Sequence, residues 1–189
     1  MMKKMIVCLL AVLLALPCAL AEQVALPVPD ASLYEPDPFL CTVTQLMTEY
    51  EHARRTESGY YAPLCDDWSK AVTIVTLHVP TVRTEGDRAT VFARVFSGVY
   101  ALYGGTRMEL VTGALVPSRI ELEMREGAWA IVSVRESEDG TRFWPSILEF
   151  CDGDELLART LTLPVGAQKQ DMAVRLYLNS IGYENAAIE

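Results

Sequence analysis

The stretch RATVFARVFSGVYALYGGTRMELVTGALVPSRIELEMREGAWAIVSVRESEDGTRFWPSILEFC, residues 88–151, decides the fold. Runs of β-branched and aromatic residues alternate there with brief turn signals at Gly104-Gly105, Glu126-Gly127 and Asp139-Gly140. Connections that short join only antiparallel neighbours, so the segment reads as a twisted meander. A first strand, about Ala71 to Val82, precedes it and ends near Glu85-Gly86-Asp87. The second runs from Ala89 to Tyr103 and closes on Gly104-Gly105 as a two-residue hairpin. Within the third, Arg107 to Met124, Val116-Pro117-Ser118 marks a bulge or an edge position, because proline cannot donate to the ladder. Beyond it Ile120, Leu122 and Met124 alternate with Glu121, Glu123 and Arg125, giving one dry and one wet face. Ala128 to Arg135 forms the fourth strand.

Helical periodicity appears on both sides of the sheet. Asp37-Pro38 opens a helix, with Asp37 as cap and proline at the first helical position. Leu40, Val43, Leu46, Met47, Tyr50 and Ala53 recur at three- and four-residue steps as its apolar face. Arg54 and Arg55 suit the negative end of its dipole. After the meander, Ser146 to Phe150 and Asp154 to Leu161 read as short helical pieces, with Asp154 as a cap. A longer helix covers Gln168 to Ile181, with Met172, Ala173, Leu176, Tyr177 and Ile181 on one side and Gly182 as its stop. The expected class is α+β: an antiparallel four-stranded or slightly larger twisted meander, with an N-terminal helix and C-terminal helices packed on one face. Cystatin-like and nuclear-transport-factor-like folds share that architecture, an analogy of shape alone.

The first residues read as a secretory signal peptide: Lys3 and Lys4, the apolar run Met5 to Leu16, and Ala19-Leu20-Ala21 with cleavage after Ala21. The run is too short for a membrane span. Lipoprotein processing at Cys18 is the competing reading, opposed by Pro17, since a lipidated cysteine needs a small residue before it. Residues 22–38 read as a linker punctuated by Pro27, Pro29, Pro36 and Pro38, leaving 39–189 as a single domain. The chain carries a net charge of −9, and the leader removes two lysines and no acid, so the exported product is more acidic still. Such a surface repels phosphate backbones and anionic lipid, arguing against nucleic-acid or peripheral membrane partners. No other run is long enough to insert in a membrane after the signal is cleaved. Cys41, Cys65 and Cys151 remain in the mature chain and allow at most one disulfide, whose pair the spacing does not identify.

Taken together, Tyr100-Ala-Leu-Tyr103, Glu109-Leu-Val-Thr-Gly113, Val116-Pro117, Ile120-Glu-Leu-Glu123, Gly127-Ala-Trp129 and Asp139-Gly-Thr-Arg-Phe-Trp-Pro-Ser-Ile147 resemble a small extracytoplasmic domain of Gram-positive bacteria. That domain occurs in uncharacterised secreted proteins and at the C-terminal end of some membrane metallopeptidases of the β-lactam-sensor type. Order and spacing over about residues 70–155 carry the resemblance. Trp144-Pro145 before the Ser-Ile pair and Cys151 depart from the pattern. The resemblance implies a sensor-like or accessory domain outside the membrane and transfers no catalytic residue. The peptidase's own His-Glu-x-x-His helix has no counterpart in this chain.

Chemistry-bearing residues are sparse. Of the two histidines, His52 follows Glu49 at the Glu-x-x-His spacing of metal-ligating helices, but no second pair completes such a site; it reads as an exposed residue near a helix end. His78 reads as a packed or edge strand residue. Cys65 lies beside Asp66 and Asp67, which raise a thiol pKa and blunt it as a nucleophile. Gly104-Gly105-Thr106 lacks the lysine and the helix of a phosphate loop. Asp152-Gly153-Asp154-Glu155 lacks a full calcium loop and reads as a turn and cap. Tyr60, Tyr61, Trp68, Tyr103, Phe143 and Trp144 flank loops or strand ends, where aromatics line a cleft or, the preferred reading, plug the ends of a curved sheet. No catalytic residue, metal ligand or cofactor is assigned, and no binding residue is identified. The expected function is a secreted, non-enzymatic binding, sensor or accessory domain of the cell envelope, its small ligand or protein partner unspecified. The alternatives are a small extracytoplasmic hydrolase using His78 or a carboxylate pair in the curved sheet, and a structural partner in an envelope complex.

Overall fold

The structure, a computed structural model, describes residues 25–58 and 70–189. The signal peptide and its cleavage site, Cys65 with Asp66 and Asp67, and the aromatics Tyr60, Tyr61 and Trp68 lie outside the described residues. Four strands, β1 Ala71–Glu85, β2 Arg88–Tyr103, β3 Arg107–Arg125 and β4 Ala128–Glu136, pair antiparallel in chain order. A short β5, Ala187–Ile188, adds in parallel to the start of β3. The helices are α1 Pro38–Ser58, α2 Phe143–Phe150, α3 Glu155–Thr160 and α4 Gln168–Ser180. The α+β class and the meander follow the sequence expectation.

Turn chemistry sets the register. Tyr103 pairs with Arg107 across a three-residue loop, Gly104 to Thr106, in which Gly104 and Gly105 both take positive φ. This loop is one residue longer than the expected hairpin. Pro117 does not break β3, because the β2 ladder continues through Arg94 and Pro117 without a shift. On its other side β4 pairing begins only at Ser118, so the proline occupies an edge where no donor is required. The ladder shifts lie elsewhere, at His78/Thr81, Val99/Tyr100 and Glu121/Leu122.

Helices cover both faces of the sheet, a correction to the one-sided packing expected. Val43 and Met47 of α1 pack on Val75, Leu77, Val91, Val95, Ile120 and Leu122. On the opposite face, α2 and α3 close over Phe92 through Ile147, Phe150, Leu157 and Leu161. There α4 covers Val72, Ile74, Tyr100 and Leu102 through Val174, Tyr177 and Leu178. Cross-strand Gly98 and Gly113 leave room for the rings on this face: a Cβ on Gly98 would lie 2.8 Å from Tyr100 and 2.9 Å from Phe96.

The helix faces also differ in detail. Tyr50 and Ala53 are exposed, and the buried stripe of α1 turns polar through Thr44, Thr48, Glu51 and Arg55. Arg55 therefore does not stand at the helix end as a free dipole partner. It pairs with Glu51 and donates to Ser97 Oγ at 2.8 Å. In α4, Met172 is exposed and Val174 and Leu178 take core positions.

Of residues 22–38, read from sequence as a linker, the described part packs on the domain at Ala31, Tyr34 and Glu35 and enters α1 at Pro38. Ala31 and Tyr34 are 0% and 4% exposed and belong to the core under α4. This segment follows the free edge of β1, where Tyr34 donates to the Val75 carbonyl at 3.1 Å. Lys169 of α4 donates to the Leu77 carbonyl at 2.9 Å and pairs with Glu35 at 2.6 Å. Two carbonyls of β1, those of Val75 and Leu77, are thus satisfied by side chains of the domain. Asp37 and Asp154 cap as expected, accepting from Leu40 N at 2.8 Å and Leu157 N at 3.0 Å.

Candidate functional site

Cross-strand register assembles charge at the end of the sheet nearest the Gly86 turn. On the α2–α3 face, Arg83, Thr90 and Glu121 form one row, Glu85, Arg88 and Glu123 the next, and Phe92 lies beside Arg119. These rows line an open groove of about 400 Å³. The guanidiniums of Arg83 and Arg119 stand 4.7 and 5.7 Å from the centre of the buried Phe92 ring, close enough for cation–π attraction. Asp152, held at φ 57° in the connection between α2 and α3, closes the rim. Its carboxylate meets Arg83 at 3.2 Å and Arg119 at 3.0 Å.

Arg119 is the most constrained of these cations. Its side chain is 18% exposed, and it also contacts Glu121 at 3.0 Å and donates to the Phe150 carbonyl at 3.1 Å. Arg88, far more exposed, meets Glu123 at 3.5 Å. A hydrogen bond from Arg125 holds the Glu123 carboxyl below its usual range. The groove therefore offers both signs of charge on a rigid sheet floor. Its exposed pairs are worth little individually in water, so a ligand exchanges them at small cost.

A second polar cluster lies on the α1 face. Glu51, 1% exposed, accepts from Ser97 Oγ at 3.0 Å and from Arg54 at 3.1 Å, and Arg54 also bridges to Glu136. Arg55 stands on the other side of the same carboxylate. This network joins α1 to β2 and β4, and no histidine takes the serine proton there. Its role is to fix the helix on the sheet.

The sequence-selected residues do not converge. Exposed Glu49 accepts from Gln45, and half-buried His52 lies on the flank of α1. His78 Nε2 is buried and without a partner among the described residues, and burial, helped by Lys169 and Arg94, holds its pKa below the ordinary value. Tyr103 and Phe143 are exposed at separate places, contrary to the core role preferred for them, while Trp144 packs against the α2–α3 cluster. Cys41 and Cys151 are free thiols. Among the described residues no three His, Cys, Asp or Glu side chains stand close enough to hold a metal ion. Asp152, read from sequence as part of a turn, proves to be the rim of the groove. The signal was its pairing in space with Arg83 and Arg119, which linear spacing does not carry.

Comparison with protein-family models and with curated proteins finds no match to this chain. Among solved structures it is similar to the intermembrane space region of the chloroplast protein ARC6, with 18% identity over 57% of this chain and 84% of that one. The TM-score of that likeness is 0.29, too low to carry an argument about fold or function.

Proposed function

We propose that this chain is an exported, non-enzymatic binding or sensor domain of the cell envelope, with the charged groove as its binding site. The observation that carries the reading is the groove itself: guanidiniums and carboxylates alternate across a rigid sheet, with Arg119 anchored at its centre. The leader ending at Ala21 and the resemblance to extracytoplasmic domains support the placement outside the membrane. A site with fixed charges of both signs suits a zwitterionic ligand, such as a short peptide with free amino and carboxylate ends.

Two measurements test this. Mass spectrometry of the exported protein is expected to find a mature N-terminus at Glu22, and a lipid on Cys18 contradicts that processing. Titration of the isotope-labelled mature protein with tripeptides is expected to shift amide resonances of Thr90, Glu121 and Val132 in a saturable way. Shifts confined to another surface, or none, contradict the groove as the site.

A further inference from the structure

Arg94 is a half-buried cation that meets no acid among the described residues. Its Nε and Nη1 are both inaccessible to solvent and have no hydrogen-bond partner among the described residues. By contrast, the neighbouring Arg83, Arg119 and Arg135 on the same face each have a carboxylate. Two guanidinium donors held out of water without an acceptor carry a desolvation cost that nothing nearby offsets. The chain has acids to spare, with 25 Asp and Glu against 16 Lys and Arg, so the vacancy is a property of this position.

What surrounds Arg94 is equally specific. His78 is its direct cross-strand partner on β1, and Pro117 is its partner on β3. Thr76, two residues from His78, is on the same face. Buried Thr76 Oγ1 and His78 Nε2 also have no partner among the described residues. His78 and Arg94 face each other across the β1–β2 ladder and Thr76 stands one same-face pair further along, opposite Phe96, so the three share a strip of the sheet face between Phe92 under α2 and α3 and Ile74 under α4. Lys169 adds positive potential from α4, its own charge being held by Glu35. Arginine offers donors only, and the hydroxyl and the imidazole can each donate as well.

We propose that Thr76, His78 and Arg94 form a site for a small oxyanion, a carboxylate or a phosphate. The ligand supplies the acceptor oxygens and the negative charge that the surrounding side chains omit. This site is separate from the groove, since Phe92 and its helices stand between them, so either can fail without the other.

The test uses the full mature protein in a buffer of low anion content. Inorganic phosphate and acetate are titrated separately, with sodium chloride at matched ionic strength as the control. Melting temperature is followed together with the NMR resonance of the Arg94 Nε–H. A saturable rise in melting temperature and a shift of that resonance are expected with phosphate, acetate or both, and the responding arm names the oxyanion. In Arg94→Met the apparent affinity is expected to fall at least about tenfold, the loss of a charge-assisted hydrogen bond. Without added anion the same variant is expected to melt no lower than the wild type, because it removes an uncompensated charge. The proposal is overturned if neither anion exceeds the chloride control, or if Arg94→Met keeps the response. Should that variant fail to fold, the wild-type Arg94 Nε–H resonance decides, and its failure to move at high anion concentration overturns the assignment.

Discussion

Removing the residues up to 36 is expected to cost the domain a large part of its stability. Among the segment's described residues the structure buries Ala31, Tyr34 and Glu35 against the domain, where proline content alone reads as linker. Tyr34 is 4% exposed, so Tyr34→Ala forfeits an aromatic core side chain, a loss of about 3–5 kcal/mol by analogy with buried Phe→Ala changes. Tyr34→Phe keeps the ring and removes only the donor to the Val75 carbonyl, a loss of about 1 kcal/mol. Lys169→Met leaves Glu35, whose side chain is 5% exposed, as a buried carboxylate without its cation, at about 3–5 kcal/mol. Domains of this size are stable by only about 5–15 kcal/mol, so the full deletion removes a large fraction of the margin. Urea denaturation followed by circular dichroism measures it. With a slope of about 2 kcal/mol per molar, Tyr34→Ala is expected to lower the midpoint by about 2 M, and the deletion by more. A deleted chain that unfolds at the same midpoint as the protein beginning at Glu22 would refute the packing of this segment and restore it as a tether.

Further expectations are more local. Burial pushes Tyr34 and Tyr100 up to about 12, so the stability they contribute is complete below pH 10 and is lost as pH rises from 10 through 12; absorbance of tyrosinate in a pH titration checks this, and ionisation near 10 in the native state contradicts it. Cys151 is fully buried and its thiol is pushed up to about 11, chiefly by burial, so a thiol reagent at pH 8 is expected to label it only after unfolding. Asp154→Ala removes the hydrogen bond to Leu157 N at the start of α3 and is expected to cost about 1 kcal/mol in the same urea assay. Gly98→Ala drives a methyl into the rings of Tyr100 and Phe96 and is expected to cost about 1–3 kcal/mol, whereas a neutral result means the rings have room to move.

Strand boundaries were legible because their determinants are local. Gly86, Gly104, Gly105 and Gly127 all take positive φ at turns, Pro117 sits where the ladder asks for no donor, and Asp37 and Asp154 cap their helices. What escaped the sequence was decided by pairing across the sheet. Glu51 and Arg55 interrupt an apolar period yet are buried, because Ser97 of β2 engages both and Arg54 ties Glu51 to Glu136 of β4. Ala31 and Tyr34 sit among prolines with no periodicity of their own, and the free edge of β1 gives them their place. The groove was invisible for the same reason. Arg83, Arg119 and Asp152 are distant in sequence, and each alone resembles an ordinary surface charge.

The reading of the groove as a binding site rests on its being open to a ligand. Thr90 faces into it and is half-buried, so Thr90→Trp fills the space without removing any of its charges. Calorimetric titration of wild type and Thr90→Trp with the zwitterionic tripeptide that shifts the groove resonances is the most direct comparison. The account predicts saturable binding to the wild type and none to a folded Thr90→Trp, whereas equal binding to both contradicts it.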